Sequence, residues 1–188
     1  MTDSTAHSSL RRAGLEVFAA SLVVLFQELL LIRWLPVEVR VASYFPNLIL
    51  ISAFLGLGVG ALRAKQRSLL WLWPLSLVVI TAIAWAMSGI AFTAEGETEH
   101  LWLLYLDLGE NALTIEGIRL PLLLLFVISA ISFIPLGQLV ANRIQRFREA
   151  GSALRGYALD LTGSLVGVIL FTVVSLSGMS PVWWFALL

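Results

Sequence analysis

Apolar residues run along the chain in blocks, separated by short polar stretches. A helix that crosses the roughly 30 Å hydrocarbon core of a bilayer needs about 20 mostly apolar residues. Five blocks reach that length: 15–35, 41–62, 69–92, 120–141 and 157–177. A sixth, 181–188, stops after eight residues, too few to cross. The chain is therefore expected to be a fragment or, as the second choice, to end on a segment packed in the interface. Pro46 and Pro74 fall in the first turns of their blocks, where a missing amide proton costs least, and Pro135 is placed to kink the fourth. Residues 1–14 read as a polar cytoplasmic tail and 15–188 as one transmembrane helical domain. The basic pair Arg11, Arg12 ahead of an apolar run also opens a signal peptide. This run is too long for one and ends in Ile32-Arg33-Trp34-Leu35-Pro36, with no small-residue cleavage site. The fold class expected is all-α, a polytopic helical membrane bundle of five full transmembrane helices plus the start of a sixth.

Composition supports that class. Hydrophobic residues make up 59% of the 188, and only 13% are charged, about half the roughly 25% of soluble domains. A mean hydropathy of +0.92 excludes an ordinary water-soluble globule. Lys+Arg and Asp+Glu both number 12, and a net charge of zero gives no reason to expect a nucleic-acid partner. The absence of cysteine rules out disulfides, iron–sulfur clusters, thioether-linked haem and a cysteine nucleophile.

The distribution of charge sets an orientation. Arg11, Arg12, Arg63, Lys65, Arg67, Arg143, Arg146, Arg148 and Arg155 fall on one side of the five-span topology, nine of the 12 basic residues. The positive-inside rule makes that side the cytoplasm. The N-terminus is then inside, and the chain is expected to be a multi-pass protein of the inner (plasma) membrane. The opposite loop, 93–119, holds Glu95, Glu97, Glu99, Asp107, Glu110 and Glu116 with no basic residue before Arg119. Its short run from His100 to Leu106 is apolar enough to lie along the membrane surface or over the bundle. Trp34, Trp71, Trp73, Trp183 and Trp184 fall near expected helix ends, where an amphipathic ring prefers the headgroup region, whereas Trp85 lies deeper.

Few residues could carry chemistry. Gly56-Leu57-Gly58-Val59-Gly60 mimics a nucleotide-binding loop, but such a loop follows a strand and opens a helix; here it is embedded in an apolar helix. Ser52, Gly56 and Gly60 repeat every four residues, as do Gly163 and Gly167. Such small-xxx-small faces let helices approach closely in lipid, so both stripes are expected to be packing surfaces. Glu28 stands about 13 residues into the first span, roughly 20 Å deep at 1.5 Å per residue. It should face the bundle, either as a proton or cation site or as a structural carboxylate bonded to a neighbouring helix. Ser21 lies on its face; Arg33 is about 140° around the helix and is expected to snorkel outward. Asp160, in the first turn of its span, should complement the helix dipole and could pair with Arg155, Arg63 or Arg143. On this topology Glu28 and Asp160 lie near opposite membrane faces. Tyr44, Asn47, Ser129, Ser132 and Gln138 are expected to be interhelical hydrogen-bonding groups. His7 lies in the tail and His100 beside Glu97 and Glu99, so no metal site, catalytic constellation or cofactor is expected.

Two stretches carry a resemblance. Phe26-Gln27-Glu28-Leu29-Leu30-Leu31-Ile32-Arg33-Trp34, followed by the Gly56–Gly60 helix, is one. Gly156-Tyr157-Ala158-Leu159-Asp160-Leu161-Thr162-Gly163-Ser164-Leu165-Val166-Gly167 is the other. Together they resemble the membrane-embedded N-terminal region of bacterial spermine/spermidine-synthase-like proteins, which are transporter–synthase fusions. The resemblance marks Glu28, Arg33, Tyr157 and Asp160 without giving them a role. It also implies a soluble aminopropyltransferase-like domain, to which nothing in the 188 residues corresponds. The leading expectation is a non-catalytic membrane anchor or accessory subunit, whose partners are the lipid bilayer and other membrane subunits or further copies of itself. The alternatives are a carrier of small, polyamine-like cations using Glu28, and the membrane part of an enzyme whose catalytic domain lies beyond Leu188.

Overall fold

The computed structural model describes residues 2–45, 47–88, 90–93, 113–116 and 119–188, with side chains for 10–39, 41–45, 47–88 and 120–188. Among the described residues, seven helices form the body: α1 (Thr2–Glu38), α2 (Arg40–Ser43), α3 (Leu48–Leu62), α4 (Leu72–Met87), α5 (Arg119–Glu149), α6 (Ala153–Leu176) and α7 (Pro181–Ala186). Two four-residue strands, β1 (Ile90–Thr93) and β2 (Leu113–Glu116), pair in parallel with Ile90 opposite Leu113. The pair closes the base of the expected outer loop, and the body of the fold is helical, as expected. Residues 94–112 of that loop, with His100, Trp102 and most of its acidic residues, lie outside the described residues, as do Pro46 and the side chain of His7.

Among the described residues, three helical segments are long and apolar enough to cross a membrane: Leu10–Glu38, Leu120–Glu149 and Ala153–Leu176. The second and third expected spans are shorter. α3 has 15 residues and α4 has 16, about 22 and 24 Å at 1.5 Å per residue. The second block, 41–62, breaks into α2 and α3 around Tyr44 and Phe45, because a proline at 46 disfavours helical backbone in the residue before it. The third block ends early, its last residues being taken up by β1.

At the other extreme, α1 runs back through the expected tail to Thr2. Ala13 and Val17 are buried against Phe147, with Leu10, Ile144 and Leu159 around them, and Arg143 pairs with Glu16. That satellite core holds helix outside the apolar block. α5 likewise continues past Ala141 to Glu149, with the buried Pro135 inside it. Its end is a glycine-stopped turn: Gly151 has φ +70°, Ser152 N–H donates to the Phe147 carbonyl (2.9 Å) and Gly151 N–H to that of Arg148 (3.1 Å). This left-handed C-terminal turn suits glycine, which lacks a Cβ. Gly178, also at φ +70°, reverses the chain between α6 and α7, and Pro181 then opens α7 behind Ser180.

Two helix pairs dominate the packing, α3 on α5 and α1 on α6, joined by α1 on α5; α4 leans on α5. The main core gathers Phe26, Leu30, Leu31, Leu125, Phe133 and Phe171. Its aromatic end is a chain of edge-to-face contacts, Phe26–Phe171 (5.4 Å between centroids), Phe171–Trp184 (5.6 Å) and Trp34–Phe185 (4.9 Å). Trp34 and Trp184 are therefore buried in the bundle, while Trp71, Trp183 and Trp85 are exposed. Trp34 and Trp184 thus pack into this aromatic cluster in place of the expected headgroup layer.

Candidate functional site

The small residues come first, because they fix where the helices meet. A Cβ added to Gly56 would fall on the Ala130 carbonyl oxygen and 2.8 Å from Phe133 Cβ; one added to Gly60 would strike the Ile134 carbonyl oxygen and come 2.7 Å from the Gln138 amide nitrogen. From the other side, Gly137 of α5 abuts the Leu57 backbone. Ser52, fully buried, turns its hydroxyl back to the Ile49 carbonyl (2.7 Å). On α6, Gly163 and Gly167 sit against the carbonyls of Phe18 and Leu22 of α1. The two stripes thus seat α3 on α5 and α6 on α1, backbone against backbone. Gly58, between the stripe residues, meets nothing within 4 Å.

Buried amides tie these pairs together. Gln27 of α1 accepts from the Trp73 indole N–H (2.7 Å) and donates to the Ser132 hydroxyl (2.8 Å), which donates on to the Ser129 carbonyl (2.7 Å). One side chain thereby links α1, α4 and α5. Gln138 holds the α3–α4 connection: its oxygen accepts from Leu69 N–H (2.9 Å) and its nitrogen donates to the carbonyls of Arg63 (2.9 Å), Arg67 (3.0 Å) and Gln66 (3.3 Å). Asn142, one turn further, donates to the Ala64 carbonyl (2.7 Å). Tyr44 and Asn47, grouped with these in the sequence, lie partly or fully exposed between α2 and α3.

Between the two pairs lies a cleft of about 980 Å³. α1 and α5 contribute its floor through Val24, Val140 and Ile144; Leu57 of α3, Lys65 of the α3–α4 connection, and Tyr157 and Asp160 of α6 form its sides. Asp160 accepts a hydrogen bond from the Ser21 hydroxyl at 2.5 Å. This partner replaces the arginines expected from the sequence. α6 begins at Ala153, so Asp160 stands two turns in, and no acidic residue occupies the first turn; the helix dipole, which acts within that turn, does not reach it. Arg143 is engaged by Glu16.

The four marked positions divide. Tyr157 and Asp160 share the cleft, one turn apart on α6. Glu28 is 7% exposed, and no described residue hydrogen-bonds or ion-pairs with it. It stands one turn beyond Val24 on α1, past the inner end of the cleft. Ser21 and Glu28 are seven residues apart, about 10 Å along the axis, so Asp160 and Glu28 lie closer in depth than opposite membrane faces. Arg33 is far from both, its guanidinium 5.7 Å from the centroid of the Trp184 ring, a cation–π geometry. Sequence reasoning did not single out the charged mouth of the cleft, formed by Lys65, Arg148 and Glu149. The signal in the sequence is the basic cluster at the end of α5, which by itself speaks only to orientation.

Compared with known proteins, the chain matches no family model, no curated protein and no solved structure.

Proposed function

We propose that the chain is a multi-pass bundle of the inner (plasma) membrane, crossing five times with its N-terminus in the cytoplasm. Its role in this reading is that of a non-catalytic anchor or accessory subunit of a larger membrane assembly. One observation carries it: the buried amides of the spans are committed to holding helices and loops. Gln27 bridges three helices, and Gln138 with Asn142 fastens the α3–α4 connection. The resemblance of 26–60 and 156–167 to spermidine-synthase-like membrane regions extends the same reading to anchoring a synthase-like domain. Blue-native electrophoresis of gently solubilised membranes tests it. A complex with other polypeptides, well above the 20.6 kDa of the chain, supports the proposal; migration as a lone chain overturns it.

A second reading, a carrier of small organic cations, is favoured by Glu28, which is buried, unpaired among the described residues and one turn beyond the cleft. Glu28→Gln then abolishes uptake while the protein still folds. Under the anchor reading the same change leaves assembly intact and affects no transport.

A further inference from the structure

We infer that the cleft between α1, α3, α5 and α6 is a binding site for a zwitterionic aminophospholipid of the cytoplasmic leaflet. The inference rests on the membrane reading and the orientation proposed above.

Shape comes first. From Gly137 to Arg148 the α5 wall covers twelve residues, about 16 Å at 1.5 Å per residue step, enough for much of an acyl chain. Val24, Leu25, Leu57, Val140 and Ile144 give the cleft an apolar lining, interrupted by Ser21, Asp160 and Ser164. Its mouth lies where α5 ends and α6 begins, among the basic residues assigned to the cytoplasmic side. The apolar lining therefore suits hydrocarbon, and the charged mouth with the Asp160 carboxylate inward of it suits a headgroup.

Charge then selects the headgroup. Lys65 and Arg148 stand at the mouth, both exposed and without an ion-pair partner among the described residues. They suit a phosphate. Glu149, held by Gln145 Nε2 (3.0 Å), and Asp160 supply carboxylates on the same cleft. Asp160 receives one hydrogen bond, from Ser21, and a carboxylate has about four acceptor positions, so it has room for an ammonium. A purely anionic lipid would bring its phosphate to the basic pair but leave Asp160 facing negative charge. A quaternary ammonium satisfies the charge but brings no N–H to donate. A primary ammonium beside a phosphate, above an acyl chain, meets all three features.

The test is native mass spectrometry of the full chain, purified in mild detergent and titrated with phosphatidylethanolamine, phosphatidylglycerol and phosphatidylcholine of identical acyl chains. The intact protein should retain the ethanolamine lipid about fivefold better than the other two, the ratio expected of one added ion-pair contact. Asp160→Asn, which keeps the side chain's size and an oxygen for Ser21, should bring it level with phosphatidylcholine. Equal retention by the unaltered chain, a preference for phosphatidylglycerol, or an unchanged ratio in Asp160→Asn overturns the inference. If that variant does not fold, the ethanolamine-to-choline ratio of the unaltered chain decides alone. Extraction by alkaline carbonate separates the two levels: a chain released from membranes fails the membrane reading, and an integral chain without the lipid preference fails only this inference.

Discussion

Gln138 concentrates more structural work than any other single side chain described. Its amide satisfies backbone groups on both sides of the α3–α4 connection, groups that no helix ladder can reach once α3 has ended at Leu62. Gln138→Leu removes both ends at once. It should destabilise the protein by about 2 kcal/mol and speed tryptic cleavage after Lys65 and Arg67; cleavage at the unaltered rate would contradict the clamp. The sequence pointed to Gln138 and Ser132 as interhelical groups because a polar side chain deep in an apolar run has few other uses. It did not reveal the Ser21–Asp160 bond. Which face of α6 meets which face of α1 is decided by lateral pairing, and neither helix encodes its neighbour locally.

At the level of elements, the glycine stripes make the sharpest case. Gly56→Leu and Gly163→Leu place side chains into the backbones of α5 and α1, and each should cost about 3 kcal/mol or more. Gly58→Leu, on the same helix as Gly56 but facing open space, should be neutral or slightly stabilising, because leucine is the better helix former. Thermal unfolding in detergent compares the three; a loss at Gly58 equal to that at Gly56 would show helix propensity, not close packing, at work. The stripes were legible because a four-residue repeat keeps small residues on one helical face. The helix limits were less so. α1 extends to Thr2 because Ala13 and Val17 find Phe147, a contact made across 130 residues of sequence, and α4 stops at Met87 where strand pairing takes over.

For the molecule as a whole, the proposed topology places the α3–α4 connection and the β1–β2 pair on opposite sides of the membrane. The chain has no cysteine, so single-cysteine variants report their side without background. Gln66→Cys should react with an impermeant maleimide only after the cytoplasmic side is opened, and Thr114→Cys in intact cells. Reaction of both from the same side would sink the five-crossing arrangement. Charge asymmetry is what proposes this orientation, since it depends on counting residues and not on knowing their neighbours. The unequal helix lengths have a further consequence. α3 and α4 both lean on α5, whereas α6, pressed on α1, keeps full length. In a bilayer, the hydrophobic belt is then thinner along one flank than the other. Lipids beside α3 and α4 must compress or the helices must recruit neighbours of equally short reach, at a cost of fractions of a kcal/mol for each ångström of mismatch. On the five-crossing topology proposed above, the membrane is thinner on that flank, and other short-spanning chains would gather there.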